Sequence, residues 1–352
     1  MLNTEWIQKI YNHIPEKESK LIYIDRLNYS LTKDITILQK MVDRTVRSRA
    51  VWQELCHQLH ELSENQELVI FGAGIWGKIL YEETKSQVRW KNMIDSNPKG
   101  NRLGNLSVIA FDEFVRGYNG EMVVISSFKV GKEMIEQLRG YGIPDEKIVD
   151  AGKVIYELTE KGIYFDLQEL LPLREWEVFV DAGCYDGLNT KNFYEWCKGK
   201  GFSYCMEPDE QNIERICRNL GNNCNYEVIS KALWSKTTTL SICAKGNFSS
   251  SVVSDNTADT NARVQALALD DFLYDKDISY IKMDIEGAEL EALRGARRII
   301  QEKKPRLAIS IYHKLEDIWT IPCEILDYCS DYRFYLRHYS FSDYDTVLYA
   351  IP

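Results

Sequence analysis

The stretch VFVDAGCYDG, residues 178–187, followed by SYCMEPD, residues 203–209, decides the reading of this chain. A short apolar run ends on an acid and two glycines, a helical pattern follows, and a second apolar run ends on another acid. That is a strand, a tight turn into a helix, and a second strand. Asp181, Gly183 and Gly187 stand at the first turn, and Glu207 lies twenty residues beyond Gly187 at the tip of the second strand. A carboxylate there can accept two hydrogen bonds from ribose hydroxyls. The DxGxxxG spacing differs from the dinucleotide fingerprint and suits a loop around the amino-acid end of an adenosine-containing cofactor. Acids at both strand ends favour a ligand with a positive centre, as a sulfonium has.

Downstream, strand-like runs keep alternating with helical patterns. Strands are expected at VFVD, SYCME, YEVISKAL, ISYIKMD, RLAISIY, FYLRHYS and TVLYAIP, with helices over 189–198, 209–219, 287–303 and 318–329. Such alternation implies a parallel sheet covered on both faces. Only the short SDYD turn separates the last two strands, so that pair is expected to be antiparallel. Within IKMDIEGAELEALRGA, residues 281–296, Asp284 and Glu286 alternate at a strand end and face one side of the carboxyl edge, where open α/β sheets bind ligands. His313 follows the run RLAISIY at the same edge. An imidazole titrates near neutral pH, which makes His313 the candidate general base; Asp284 or Glu286 is the alternative proton acceptor, or one of them could bind a metal that lowers the acceptor's pKa. The serines of GNFSSSV, Ser249, Ser250 and Ser251, lie in a polar excursion that could contact a polyhydroxylated acceptor.

These segments, in this order, resemble the FkbM family of S-adenosylmethionine-dependent methyltransferases. The matching elements are VFVDAGCYDGLNT, MEPDEQN, SKALW, ALDDFL, ISYIKMDIEGAELEALRGA and PRLAISIYHKLEDIW, over about residues 177–330. The resemblance implies a class I methyltransferase sheet of seven strands with an antiparallel last strand, and S-adenosylmethionine as cofactor. It implies cofactor contacts from Asp181, Gly183, Tyr185, Gly187, Glu207 and Asp209, with Ala232 lining the adenine. Asp284 with Glu286 would face the reaction centre. Cys184 and Tyr185 stand where many relatives carry smaller or amide residues. The implied reaction is O-methylation of a hydroxyl on a sugar, nucleotide sugar or secondary metabolite.

Upstream, FGAGIWG, residues 71–77, places Gly72, Gly74 and Gly77 in a GxGxxG pattern after the strand LVIF and before a helix. Asp95, at the end of the next strand, occupies the ribose-binding position. This region resembles the small Rossmann-like nucleotide-binding domains fused to sugar-modifying enzymes, which implies a nucleotide or nucleotide-sugar ligand. The alternative reading of the glycines is packing alone.

The expected organisation is a helical module over 1–65, a Rossmann-like domain over 66–152, a connector over 153–176 and a methyltransferase domain over 177–352. With 43 basic against 53 acidic residues, a net charge of −10, electrostatics give little support to nucleic-acid or anionic-membrane binding. The expected partner is a small hydroxylated acceptor. Nine scattered cysteines without a CxxC pair argue against a disulfide framework, and no ligand spacing calls for a metal. No signal peptide or apolar membrane span is present, so a cytoplasmic location is expected. Two other readings stay open: a nicotinamide-dependent oxidoreductase working through the GxGxxG domain, and a non-catalytic ligand-binding scaffold.

Overall fold

The computed structural model describes residues 4–98, 102–221, 225–243, 251–253 and 262–352. The chain divides into two units, one of Met1–Met41, Ile163–His338 and Ser342–Pro352, the other of Val42–Gly162 with Tyr339–Phe341.

The first unit holds a seven-stranded sheet. Its strands are β1 (Glu177–Ala182), β2 (Gly201–Met206), β3 (Tyr226–Ile229), β4 (Tyr280–Met283), β5 (Arg306–Ser310), β6 (Arg333–His338) and β7 (Thr346–Ile351). They lie in the order β3-β2-β1-β4-β5-β7-β6. Strands β1 to β5 pair in parallel, and β7 runs antiparallel to both β5 and β6. This is the expected class I arrangement with its reversed last strand. Helices Leu188–Trp196, Glu210–Leu220 and Asp317–Tyr328 fall where the periodicity places them. The expected helix over 287–303 is interrupted at Gly295, giving Glu289–Arg294 and Arg297–Lys303. The backbone at Gly295 packs so closely on the carbonyl of Trp234 that a Cβ would sit 2.1 Å from it.

One feature of this unit has no clear sequence signal. The run YEVISKAL does not form one strand: after β3 the chain leaves the sheet, and Ala232–Leu233 joins Thr238–Cys243, Ser251–Val253 and Ala262–Leu267 in a separate four-stranded sheet. The N-terminal residues are helical as expected, with Thr4–Asn12 and Lys17–Thr32 in the first unit and Ala50–Asn65 in the second. Helix Lys17–Thr32 lies along β6, the edge of the large sheet. There Phe334 N donates to His13 O at 2.9 Å, and Leu336 N donates to Ser19 Oγ at 2.9 Å. Arg337 grips both oxygens of Glu16 at 2.7 and 3.0 Å. An open strand edge would expose unpaired backbone groups, and these contacts satisfy them.

The second unit is built on a sheet in the order Arg102–Leu103, Leu106–Ala110, Trp90–Asp95, Leu68–Phe71, Met122–Ile125, Ile148–Asp150. All pairings are parallel except that of Arg102–Leu103 with Leu106–Ala110. Its core gathers Val69, Phe71, Ile94, Phe111, Val123, Ile125 and Leu138 from strands and covering helices, as fully buried parallel strands require. Among the described residues no helix is long and apolar enough to cross a membrane.

Candidate active site

The site forms where β1, β2, β4 and β5 end. The turn after β1 folds back on itself: Gly183 N donates to Met206 O at 3.0 Å and Gly187 N donates to Cys184 O at 2.9 Å. Gly183 has φ +75°, and a Cβ there would lie 1.9 Å from the carbonyl oxygen of Asp284. No other residue fits, because the loop crosses directly over the end of β4. Tyr185 takes φ +52°, a left-handed conformation that costs energy for a side-chain-bearing residue. Its amide is held by Glu207 Oε2 at 3.0 Å.

Beneath the loop lies a charged pair. Asp181 and Lys282 are fully buried and adjacent across β1 and β4, with Lys282 Nζ 3.1 Å from Asp181 Oδ1. Lys282 also donates to Ala182 O at 3.1 Å and Gly183 O at 2.7 Å, and Thr190 Oγ1 donates to Asp181 Oδ2 at 2.7 Å. Burial works against the ammonium, but Asp181 and Asp284 outweigh it and raise the lysine pKa. Lys282, held by Asp181, therefore braces the start of the glycine loop from below.

Glu207, at the tip of β2, is buried and collects three donors: the amides of Tyr185 and Asp209, both at 3.0 Å, and Asn212 Nδ2 at 3.3 Å. Burial pushes its pKa up despite these bonds. Asp209 caps the helix Glu210–Leu220 by accepting from the amides of Gln211 and Asn212. Ala232 lies in the small sheet, half-buried and paired with Ala266.

The structure brings Asp284, Glu286 and His313 together. His313 Nε2 is 3.5 Å from Asp284 Oδ1 and 3.7 Å from Glu286 Oε2. Its Nδ1 is 2.9 Å from Glu289 Oε1, which also accepts the amide of Ile285 at 2.8 Å. The side chains of His313 and Glu289 are 10% and 1% exposed, those of Asp284 and Glu286 27% and 37%, so the cluster is sealed at the back and open at the front. Burial disfavours the imidazolium, but Glu289, Asp284 and Glu286 outweigh it and push His313 up to about 9, so the ring holds a proton near neutral pH. Burial, opposed by His313 and reinforced by Asp284 and Glu289, pushes Glu286 up to about 7.

Several members of the site carry no motif in the sequence. Tyr164, fully buried in the stretch read as connector, donates to Asp284 Oδ2 at 3.0 Å and lies 3.2 Å from Ser310 Oγ. Tyr312 donates to Asp284 Oδ1 at 3.0 Å. For Asp284, burial opposes ionisation, but Lys282, His313 and these two hydroxyls hold its pKa below the usual carboxylate range. The run of acids in DIEGAE could have pointed to Glu289; nothing local marks Tyr164. Ser249 and Ser250 lie outside the described residues, and Ser251 begins the short strand Ser251–Val253.

In the second unit, Gly72 has φ +107° and Gly74 precedes the helix Ile75–Thr84 with open space beside its Cα. A Cβ on Gly77 would lie 1.8 Å from Gly72 O, so this glycine is required by packing of the helix on the loop. Asp95 turns back on the chain, accepting from Ala73 N at 2.9 Å and Asn97 N at 2.8 Å.

The family model of the methyltransferase FkbM domain matches residues 181–342, which hold the glycine loop, Glu207 and the acidic cluster. Among solved structures, the chain is similar to a methyltransferase FkbM from Methylobacillus flagellatus KT, with 21% identity over 93% of this chain and 100% of that one and a TM-score of 0.48. It is also similar to Aeropyrum pernix fibrillarin in complex with natively bound S-adenosyl-L-methionine, at 9% identity over 51% of this chain and 69% of that one, with a TM-score of 0.34. A third is a SAM-dependent methyltransferase from Aquifex aeolicus, at 15% identity over 55% and 90% of the two chains, with a TM-score of 0.34. No match is found among curated proteins.

Proposed function

We propose that the chain is an S-adenosylmethionine-dependent O-methyltransferase acting on a hydroxyl of a saccharide, nucleotide sugar or related polyhydroxylated metabolite. The glycine loop of residues 183–187 takes the methionine end of the cofactor, Glu207 meets the ribose hydroxyls, and Ala232 lies beside the adenine. The observation that carries the reading is the closeness of this loop to the acidic cluster: Gly183 lies against the carbonyl of Asp284, whose side chain is grouped with Glu286 and His313.

Methyl transfer is an in-line displacement, so the protein's main work is to align acceptor oxygen, methyl carbon and sulfur. The acceptor enters at the open side of the cluster, where Asp284 and Glu286 hold its hydroxyl by hydrogen bonds. As the oxygen–carbon bond forms, the sulfur–carbon bond breaks with its electron pair returning to sulfur, and the hydroxyl proton passes to the cluster. Tyr164 and Tyr312 fix the Asp284 carboxylate from two sides so that its orientation needs no adjustment during the reaction.

The test is calorimetric titration of the full chain with S-adenosylmethionine, followed by transfer of labelled methyl to a panel of sugars, nucleotide sugars and polyketide-type alcohols. Binding by wild type, a weakening of at least tenfold in Glu207→Gln, and label in at least one acceptor are expected. No heat from a folded sample would overturn the cofactor assignment; label only on nitrogen or carbon acceptors would overturn the hydroxyl assignment.

A further inference from the structure

Asp284, Glu289 and His313 each offer a donor atom, and these atoms all lie within 4.8 Å of one another. Glu286 adds a third carboxylate 3.7 Å from the ring. Three carboxylates in one corner repel one another, and burial together with this repulsion raises the Glu286 pKa. Lys282 acts on Asp284 and Glu286 only through its charge, because its Nζ is directed to Asp181 and to the carbonyls of Ala182 and Gly183. Two atoms stand out: Glu289 Oε2 and His313 Nε2 are buried and have no hydrogen-bond partner. Buried polar atoms are normally satisfied, and an orphaned carboxylate oxygen and an orphaned ring nitrogen in one corner fit an electrophile bound there.

We propose that this corner is a divalent-cation site, with Asp284, Glu289 and His313 as protein ligands and the exposed side left to the acceptor. The inference rests on the methyltransferase reading and deepens it. Carboxylates suit hard cations and imidazole suits transition metals, a mixture that favours Mn²⁺ over Ca²⁺. Binding releases the second ring proton of His313 to water, since a ligating imidazole is neutral, and the cation would then hold the acceptor oxygen and lower its pKa. The acceptor O–H bond then breaks, with its proton leaving to Glu286 or bulk water. The oxygen forms a bond to the methyl carbon, and the electron pair of the sulfur–carbon bond stays on sulfur. No electrons are gained or lost by the cation. The linear spacing of these residues, two from one strand-to-helix turn and one from the end of β5, follows no metal motif, and only the parallel pairing of β4 with β5 joins them.

The experiment uses full-length protein stripped with a chelator and titrated with Mn²⁺, followed by calorimetry and by loss of the free-ion electron paramagnetic resonance signal. One equivalent should bind, Asp284→Asn and His313→Asn should each weaken binding at least tenfold, and saturating Mn²⁺ should raise the wild-type unfolding temperature by mass action. The temperature shift needs no variant and stands even where a variant fails to fold. Absence of binding and of any temperature shift at millimolar Mn²⁺ would overturn the site, as would undiminished binding in both folded variants. S-adenosylmethionine is titrated into the same metal-free protein. Cofactor heat without Mn²⁺ binding overturns the cation site alone, whereas Mn²⁺ binding without cofactor heat overturns the methyltransferase assignment on which its role rests.

Discussion

Replacing Lys282 by Met tests the brace beneath the glycine loop. The side chain is fully buried and performs three tasks: it pairs with Asp181 at 3.1 Å and donates to the carbonyls of Ala182 and Gly183. Methionine has similar volume and fills the space, so the change isolates the charge. Asp181 then keeps Thr190 as its hydrogen-bond donor while remaining fully buried. Breaking a buried pair by removing one partner costs about 3–5 kcal/mol, because the remaining charge is uncompensated. For a unit of this size each kcal/mol moves the melting temperature by roughly 2–4 °C, so a fall of about 6–20 °C is expected. The assay is scanning calorimetry of the full chain beside the double variant Asp181→Asn with Lys282→Met. If the loss comes from the orphaned carboxylate, the double variant recovers a large part of it. A loss under about 1 kcal/mol in Lys282→Met, or a double variant whose loss is the sum of the two singles, would refute the reasoning.

Three further outcomes are expected. Gly183→Ala places a methyl 1.9 Å from the Asp284 carbonyl at φ +75°, so denaturant unfolding should show a loss of about 2–5 kcal/mol and calorimetry a loss of cofactor heat; an unchanged midpoint would contradict the crossing of loop and strand. Tyr164→Phe removes a hydroxyl shared by Asp284 and Ser310 and should cost about 1–3 kcal/mol in the same assay, with no loss expected only if that hydroxyl is not engaged. In the second unit, burial opposes ionisation of Glu121, but Lys91 at 2.7 Å and the amide of Asn119 at 2.8 Å outweigh it and lower its pKa. A lowered carboxylate pKa contributes stability above the unfolded value near 4.3, and that contribution disappears as pH falls through the folded value. Wild type should therefore lose stability more steeply than Glu121→Gln between about pH 5 and 3, and parallel melting curves would remove Glu121 as a contributor.

Much of this molecule is legible one residue after another. The seven strands of the large sheet are visible because a strand buried on both faces must be apolar along its length, and the antiparallel end pair because a four-residue turn cannot make a crossover. The same logic puts Asp284, Glu286 and His313 at the carboxyl edge, where the two carboxylates lie within 3.7 Å of the His313 ring nitrogen. The small sheet was not visible: Ala232–Leu233 continues an apolar run, and its departure from β3 depends on pairing with Ala266 and Leu267, thirty-four residues away.

The amino-acid order alone determined which segments alternate as strand and helix, and which residue types stand at the strand tips, because apolar periodicity and turn chemistry are local properties. Only the tertiary structure decided what those tips touch. Tyr164 meets Asp284 across 120 residues and Lys282 meets the carbonyl of Gly183 across 99, and the helix at the N-terminus covers β6 from more than 300 residues away. The physical reason is that a buried charge or hydroxyl needs a partner but does not specify which one; the order of strands in the sheet supplies it.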